Sequence, residues 1–386
     1  MRLRVMFASP VPDFRGGAER SLFDLMENPA IVPILVIPAE GPLSEAACAR
    51  GIACEVLPLG RVADVHRPLR PTQAWLAAVD GLRAVRLLKR LARARGVDII
   101  HTNGPKMHMI ACLARLLGCP RVVVHLRQIP WTGLERVVWW FWSLCATRVV
   151  LVSRACWPSR TLPKHARIVP NAIDVPSPVQ VRPGTPGPIR IGFVGRIAPD
   201  KGLDVLLDWL ALARDHGIHF QLSIRGSATA ETEGYACAIR CKVTELALGE
   251  QIRFDGFREG LAEIYEGLDV VVVPSIVPDP LPRTVMEAQS LGIPVMAYPS
   301  GGIPEMIEDR RTGFLVSSAD DFVGALEQLT HEPDRFAGIA AAAYEAITER
   351  NGLDRLHAQM TELYDALTHR EREFAARSLA KRAPGE

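Results

Sequence analysis

The sequence predicts an α/β protein of two Rossmann-like domains, each a parallel sheet covered by helices on both faces. Three observations predict it. Short continuous apolar runs alternate with stretches of helical length, which is how strands buried on both faces read. Near the middle, the segment VPSPVQVRPGTPGP at 175–188 breaks that alternation and has no periodicity of its own, as a linker does. Finally, 386 residues at 48% hydrophobic content suffice for two sizeable cores.

In the first half the apolar runs lie at 3–8, 31–37, 53–57, 97–101, 121–125 and 148–152, with helical stretches such as 73–95 and 107–117 between them. In the second half they lie at 190–194, 220–225, 252–254, 269–273 and 293–297. From Pro333 onward the pattern is helical, with a long candidate over 353–369 and a charged end, REREFAARSLAKRAPGE, expected to fray or lie on the surface. The expected organisation is a first domain over 1–175, a linker at 176–188, a second domain over 189–352, and a terminal helix and tail over 353–386. Two such domains on a short stiff linker would face each other across a cleft.

Charge is divided unevenly. Residues 1–175 hold 24 Lys/Arg and 12 Asp/Glu, whereas 176–386 hold 21 and 31. A basic first half points to an anionic partner, either lipid headgroups or a phosphorylated acceptor, and no nucleic acid is expected. The eight cysteines include no C-x-x-C pair, and no histidine lies near Cys237 and Cys241 to complete a zinc site. Reduced thiols in a cytoplasmic protein are expected. The first residues enter a strand with too short an apolar run for a signal peptide, and no stretch is apolar for the length of a membrane span.

Asp279 and Glu287 lie between two of the predicted strands. Pro278, Pro280 and Pro282 keep Asp279 out of a helix interior. A helix over 283–291 then carries Glu287. One acid sits on a loop at a strand's carboxyl end and the other one to two turns into the next helix, where open α/β sheets bind ligands. Taken alone, Asp279 reads as a turn residue and Glu287 as a surface helix residue.

Arg196 and Lys201 leave the end of the first strand of the second domain, and two cations there suit a diphosphate leaving group. Solvated loop charges are the plain alternative. Gly16 and Gly17 precede the first helix, allowing close approach of a phosphate or sugar to free N–H groups. A tight turn explains them equally well. His101 and His125 end two strands of the first half, a place where histidine more often makes structural hydrogen bonds. Arg127, two residues further on, is a candidate for an acceptor phosphate, with His101 beside it. No two aspartates stand in Asp-x-Asp spacing.

Two segments bear on a binding partner. Over 81–95, Arg83, Arg86, Arg90 and Arg93 lie opposite Leu82, Val85, Leu88 and Leu91, which suits either a sheet-covering helix or one lying on anionic lipid. Trp131, Trp139, Trp140 and Trp142 are close enough in sequence to pack a core, to meet a polyprenyl or sugar acceptor, or to dock at a membrane interface.

Taken whole, 270–316 resembles the E-x7-E region of retaining, nucleotide-sugar-dependent glycosyltransferases of the GT-B fold, often called group 1 or family four. Pro274 and Ser275, Glu287 and Ala288, the run Gly292, Ile293, Pro294 and Val295, then Gly301, Gly302, Glu305, Thr312 and Gly313 carry the likeness. Asp279 stands where the family has its first glutamate. The spacing G-R-x4-K-G around Arg196 and Lys201 matches the family's diphosphate-binding motif, and PNAID matches its P-N-G-x-D hinge with Ala172 for glycine.

The resemblance implies a retaining, metal-independent sugar transferase with no cofactor and a nucleotide diphosphate-sugar as donor. It gives Gly16 and Gly17 to the donor diphosphate, Arg196 and Lys201 to the same group, and Glu287 to the ribose hydroxyls. Asp279 falls to the transferred sugar, His125 stands near it, and Arg283 and Thr284 add donor contacts. Asn171 and Asp174 become structural residues of the domain junction. The acceptor would be a glycan or lipid-linked molecule of cell-surface polysaccharide or glycolipid assembly, met at the inner face of a membrane. A nucleotide-sugar epimerase and a non-catalytic sugar-nucleotide-binding protein are the alternatives.

Overall fold

The structure, a computed structural model, describes residues 2–13, 16–63, 71–176 and 187–380, with the backbone alone at 71–74 and 369–380. Most of the expected linker, 177–186, and the tail from 381 onward therefore lie outside the described residues. Two compact units result: one holds the residues up to Asn171 together with those from Asp354 onward, and the other is Ala172–Leu353.

The first unit is built on a seven-stranded parallel sheet. Its strands are β1 (Leu3–Ala8), β2 (Ile31–Ile37), β3 (Ala53–Val56), β4 (Ile99–Asn103), β5 (Arg121–Leu126), β6 (Arg148–Leu151) and β7 (Ala166–Ile168), in the order 3-2-1-4-5-6-7. The intervening helices are α1 (Gly17–Met26), α2 (Pro42–Ala49), α3 (Pro71–Ala94), α4 (Pro105–Leu116) and α5 (Gly133–Cys145). Strand order reverses between β1 and β4, so their carboxyl ends form the switch point where open sheets bind ligands. The first turn of α5 is closed by a capping box: Glu135 N–H donates to Thr132 Oγ1, and Glu135 Oε2 accepts from Trp131 and Thr132 N–H.

The second unit repeats the plan with six parallel strands. These are β8 (Ile189–Val194), β9 (Phe220–Arg225), β10 (Ile252–Gly256), β11 (Val270–Val273), β12 (Val295–Ala297) and β13 (Phe314–Leu315), in the order 10-9-8-11-12-13. Its helices are α6 (Leu203–Asp215), α7 (Glu233–Glu245), α8 (Leu261–Tyr265), α9 (Arg283–Ser290), α10 (Ile303–Met306), α11 (Ala319–His331) and α12 (Pro333–Asn351). Here the order reverses between β8 and β11. All four valines of β11 are buried, as a strand covered on both faces requires.

The last helix, α13 (Leu353–Ala380), runs past the expected end at 369 and packs on the first unit. Leu356, Met360, Leu363, Tyr364 and Leu367 are buried along one face of it. Asn28 donates to His357 O and Thr361 Oγ1, and His357 Nε2 meets Asp24 O at 2.7 Å. Two strands, β7 and β13, carried no sequence signal because they are edge strands of three and two residues. The fourth strand starts later than expected because Val97 N–H closes the end of α3 on Ala92 O instead of entering the sheet.

Candidate functional site

In the second unit β8 and β11 are hydrogen-bonded neighbours, so the loops leaving their carboxyl ends lie side by side. The β8 loop passes Gly195 and Arg196, makes one helical turn at Pro199–Lys201, and enters α6 through Gly202 at a φ of 69°. A Cβ on Gly202 would lie 2.2 Å from Pro274 O, so only glycine lets the two loops approach this closely.

That approach brings Lys201 Nζ to 3.1 Å from Asp279 Oδ2, with Asp200 Oδ2 3.4 Å from the same ammonium. Asp279 Oδ1 accepts the N–H of Leu281 two residues on, the pattern of an Asx turn. Its carbonyl accepts the N–H of Gly302 at 2.8 Å. Gly301, at a φ of 59°, sits so near that an added Cβ would be 2.1 Å from Asp279 O. Asp279 is thus both the turn residue its prolines predict and half of an ion pair. Arg196 is exposed and 3.7 Å from Asp200.

Glu287 is buried inside α9. Its Oε2 accepts from Tyr265 Oη at 2.9 Å, and its Oε1 lies 3.4 Å from Arg283 Nε. A buried carboxylate needs such partners. Burial first, then the Glu287 charge, push the Tyr265 phenol well above its ordinary value, so it stays protonated and donates. Thr284 Oγ1 donates to Val194 O and ties α9 to the end of β8. Among the described residues no side chain caps α9, which begins directly after Pro282. Sequence reasoning missed Tyr265: nothing in a short helix 22 positions upstream marks it as the partner of Glu287.

In the first unit a cavity of about 200 Å³ lies at the carboxyl ends of β1, β4 and β5, against Glu19, Asn103, Gly104, Arg127, Gln128 and Trp139. Gly16 and Gly17 open α1 at its edge, and a Cβ on Gly16 would meet Glu19 Oε2 at 2.3 Å. Arg127 is half-buried, donates to Asn171 Oδ1, and brings Nη2 to 3.4 Å from His125 Nδ1.

His125 is buried, and its Nδ1 lies 3.0 Å from His101 Nε2. His101 Nδ1 in turn meets Tyr364 Oη of α13 at 2.7 Å. Burial, then the Arg127 charge, hold both rings well below the usual histidine range, so both are neutral. His101, expected beside the acceptor, therefore stands behind His125 with both ring nitrogens engaged and none left for a ligand. His108 lies against Thr102 Oγ1 and is pushed down to about 3 by burial.

The four clustered tryptophans divide. Trp139 and Trp142 are buried with ring centroids 4.6 Å apart, which is core packing. Leu134, Val137, Trp140 and Leu144 of α5, with Trp131 just before it, face outward and are between 47% and 80% exposed. Among the described residues no helix is long and apolar enough to cross a membrane, and no three His, Cys, Asp or Glu side chains gather as a metal site.

The family described as glycosyl transferases group 1 matches residues 188–332, the span that holds Arg196, Lys201, Asp279 and Glu287. Residues 188–332 carry a group 1 glycosyltransferase domain. A D-inositol 3-phosphate glycosyltransferase of Rhodococcus opacus is 31% identical over 279 residues, 66% of this chain and 59% of that relative. Another, of Rhodococcus erythropolis, is 32% identical over 195 residues, 45% of this chain and 44% of the relative. The chain thus spans about half the length of these curated relatives. Among solved structures, Anabaena Alr3699/HepE in complex with UDP superposes with a TM-score of 0.76 at 20% identity, over 95% of this chain and 100% of that one. The same protein is also known with UDP-glucose. Each unit described above is one half of the GT-B fold.

Proposed function

We propose that this chain transfers a sugar from a nucleotide diphosphate-sugar to an anionic acceptor, with retention of anomeric configuration and without a metal ion. The observation that carries the proposal is the 3.1 Å pair of Lys201 and Asp279 at the switch point of the second sheet. In a nucleotide diphosphate-sugar the anomeric carbon is bonded directly to a phosphate oxygen. If the Lys201 ammonium holds the diphosphate, a carboxylate at ion-pair distance from it would lie near the reacting end of the donor.

Lys201, with Arg196, would hold the diphosphate and stabilise the charge it gains as it leaves. Asp279 would accept hydrogen bonds from sugar hydroxyls and favour the positive charge that develops at the anomeric carbon. Glu287, oriented by Tyr265 and Arg283, would accept hydrogen bonds from the ribose hydroxyls. The UDP and UDP-glucose bound by the Anabaena protein favour a uridine nucleotide.

On the acceptor side, the relatives' name favours a phosphorylated polyol. The basic first half of the chain, and Arg127 against the cavity of the first unit, agree with an acceptor phosphate. The outward-facing residues of α5 support peripheral contact with an anionic lipid surface at the cytoplasmic side of a membrane. Helix α4 packs against both α3 and α5, and Arg83, Arg86, Arg90 and Arg93 are exposed on α3. Exposed tryptophan and leucine, and exposed arginine, are what an anionic interface attracts.

The test is nucleotide release from UDP- and GDP-sugars with and without inositol phosphate. Release that depends on acceptor supports transfer. Interconversion of the donor sugar supports an epimerase, and binding without turnover supports a non-catalytic binding protein. Product anomers read by NMR decide retention, and activity unchanged by a chelator supports a metal-independent reaction.

A further inference from the structure

The hydrogen-bond chain from Tyr364 through His101 to His125 has a direction that can be worked out from its ends. A neutral imidazole carries one proton on two nitrogens, so fixing donor and acceptor at one link fixes every other link. Both rings are neutral, since burial and the neighbouring Arg127 disfavour the imidazolium.

Two observations set the direction. The Tyr364 hydroxyl is buried, and His101 Nδ1, 2.7 Å away, is the acceptor it meets among the described residues. If His101 Nδ1 carried a proton, the phenol hydrogen would be left unpaired in the core. At the other end, Arg127 Nη2 lies 3.4 Å from His125 Nδ1, and a guanidinium has donors only. Nδ1 of His125 therefore accepts. Both ends give the same polarity: Tyr364 Oη–H donates to His101 Nδ1, and His101 Nε2–H donates to His125 Nδ1 at 3.0 Å. The remaining proton of His125 is then on Nε2. That nitrogen is buried and has no hydrogen-bond partner among the described residues.

We propose that Tyr364 and His101 are positioning residues that hold His125 in its Nε2–H form, as a hydrogen-bond donor to a ligand oxygen and not as a base. A buried donor without an acceptor is costly to keep, and a sugar or phosphate oxygen is the acceptor that fits it. The ligand's identity rests on the proposed sugar transfer; the proton's location does not. Nothing in the sequence pairs Tyr364 with His101, 263 positions apart, until α13 packs against the first unit.

The direct test is 15N spectroscopy of the full chain labelled at its histidine ring nitrogens, with resonances assigned by single His→Gln variants. The expected result is a proton on Nε2 of both His101 and His125. A proton on Nδ1 of His125, or a mixture of the two forms, overturns the proposal. In Tyr364→Phe both rings are expected to redistribute toward the Nδ1–H form; unchanged rings overturn the role of Tyr364. A kinetic arm asks whether His125 donates. His125→Gln, which keeps an N–H near the Nε2 position, is expected within about tenfold of wild-type turnover, and His125→Leu about a hundredfold or more below it. Equal losses in the two variants overturn the donor role. The spectra require no turnover, so they stand or fall separately from the proposed transfer reaction.

Discussion

Lys201 and Asp279 are 78 positions apart and meet at 3.1 Å across two loops that only glycine at 202 allows to touch. In the proposed transfer the pair would couple two tasks, holding a diphosphate and facing a sugar, and neither residue can be changed without altering the other's surroundings. Lys201→Ala and Asp279→Ala should each lower kcat/KM by about a hundredfold or more, with far-ultraviolet circular dichroism unchanged. Because the two are in contact, the double variant should lose less than the product of the single losses. Strict multiplicativity would show that they act independently.

Gly301 should be as sensitive as a residue that touches substrate. Its φ of 59° disfavours any Cβ by about 1 kcal/mol, and an added methyl would also meet Asp279 O at 2.1 Å. Gly301→Ala is expected to displace the Asp279 turn, lower the melting temperature and abolish activity. Gly338 of α12, with open space around it, is the control. Gly338→Ala should stabilise the chain by about 0.5–1 kcal/mol in thermal unfolding and leave activity alone.

Tyr265→Phe removes one donor from the buried Glu287 carboxylate. The expected cost is about 1–3 kcal/mol of stability in urea unfolding, with weaker UDP binding by calorimetry. A variant that binds UDP like wild type would detach Glu287 from the donor site.

Acid should destabilise the first unit. His101, His108 and His125 are all shifted downward by burial, His108 to about 3. Unfolded histidines take up protons below about pH 6.5, whereas these folded ones do not. The unfolded state therefore binds more protons, and stability is full above about pH 6.5 and falls as pH drops below it. Each ring contributes a slope of about 1.4 kcal/mol per pH unit while it stays neutral in the folded state. Urea midpoints that do not move between pH 7.5 and 5.5 would contradict this.

The outward-facing residues of α5 predict binding to vesicles containing phosphatidylglycerol, weaker binding to phosphatidylcholine alone, and loss of both in Trp140→Glu with Leu144→Glu. These side chains are exposed, so the variant should fold. Co-sedimentation equal to wild type, or a second copy of the chain covering these side chains in analytical ultracentrifugation, would rule the lipid out.

The parallel strands and the acids at their ends were legible because burial on both faces and proline punctuation leave local marks. Val270–Val273 and the Pro278, Pro280 and Pro282 series are examples. Tyr265 and Tyr364 were not, since each acquires its partner through packing between distant elements. The tryptophans were half legible: clustering showed in the sequence, but which faced outward depended on the phase of α5 against the sheet. His101 was misplaced for a similar reason. Its strand position was clear, but nothing local showed that Tyr364, 263 positions later, would meet it.

The decisive measurement is UDP release from UDP-sugars in the presence and absence of inositol phosphate, for wild type and Lys201→Ala side by side. Transfer at the Lys201 and Asp279 pair predicts acceptor-dependent release by wild type and about a hundredfold less by the variant. Equal release by both proteins would contradict the site, and donor binding with no release under any acceptor would contradict the transfer reaction itself.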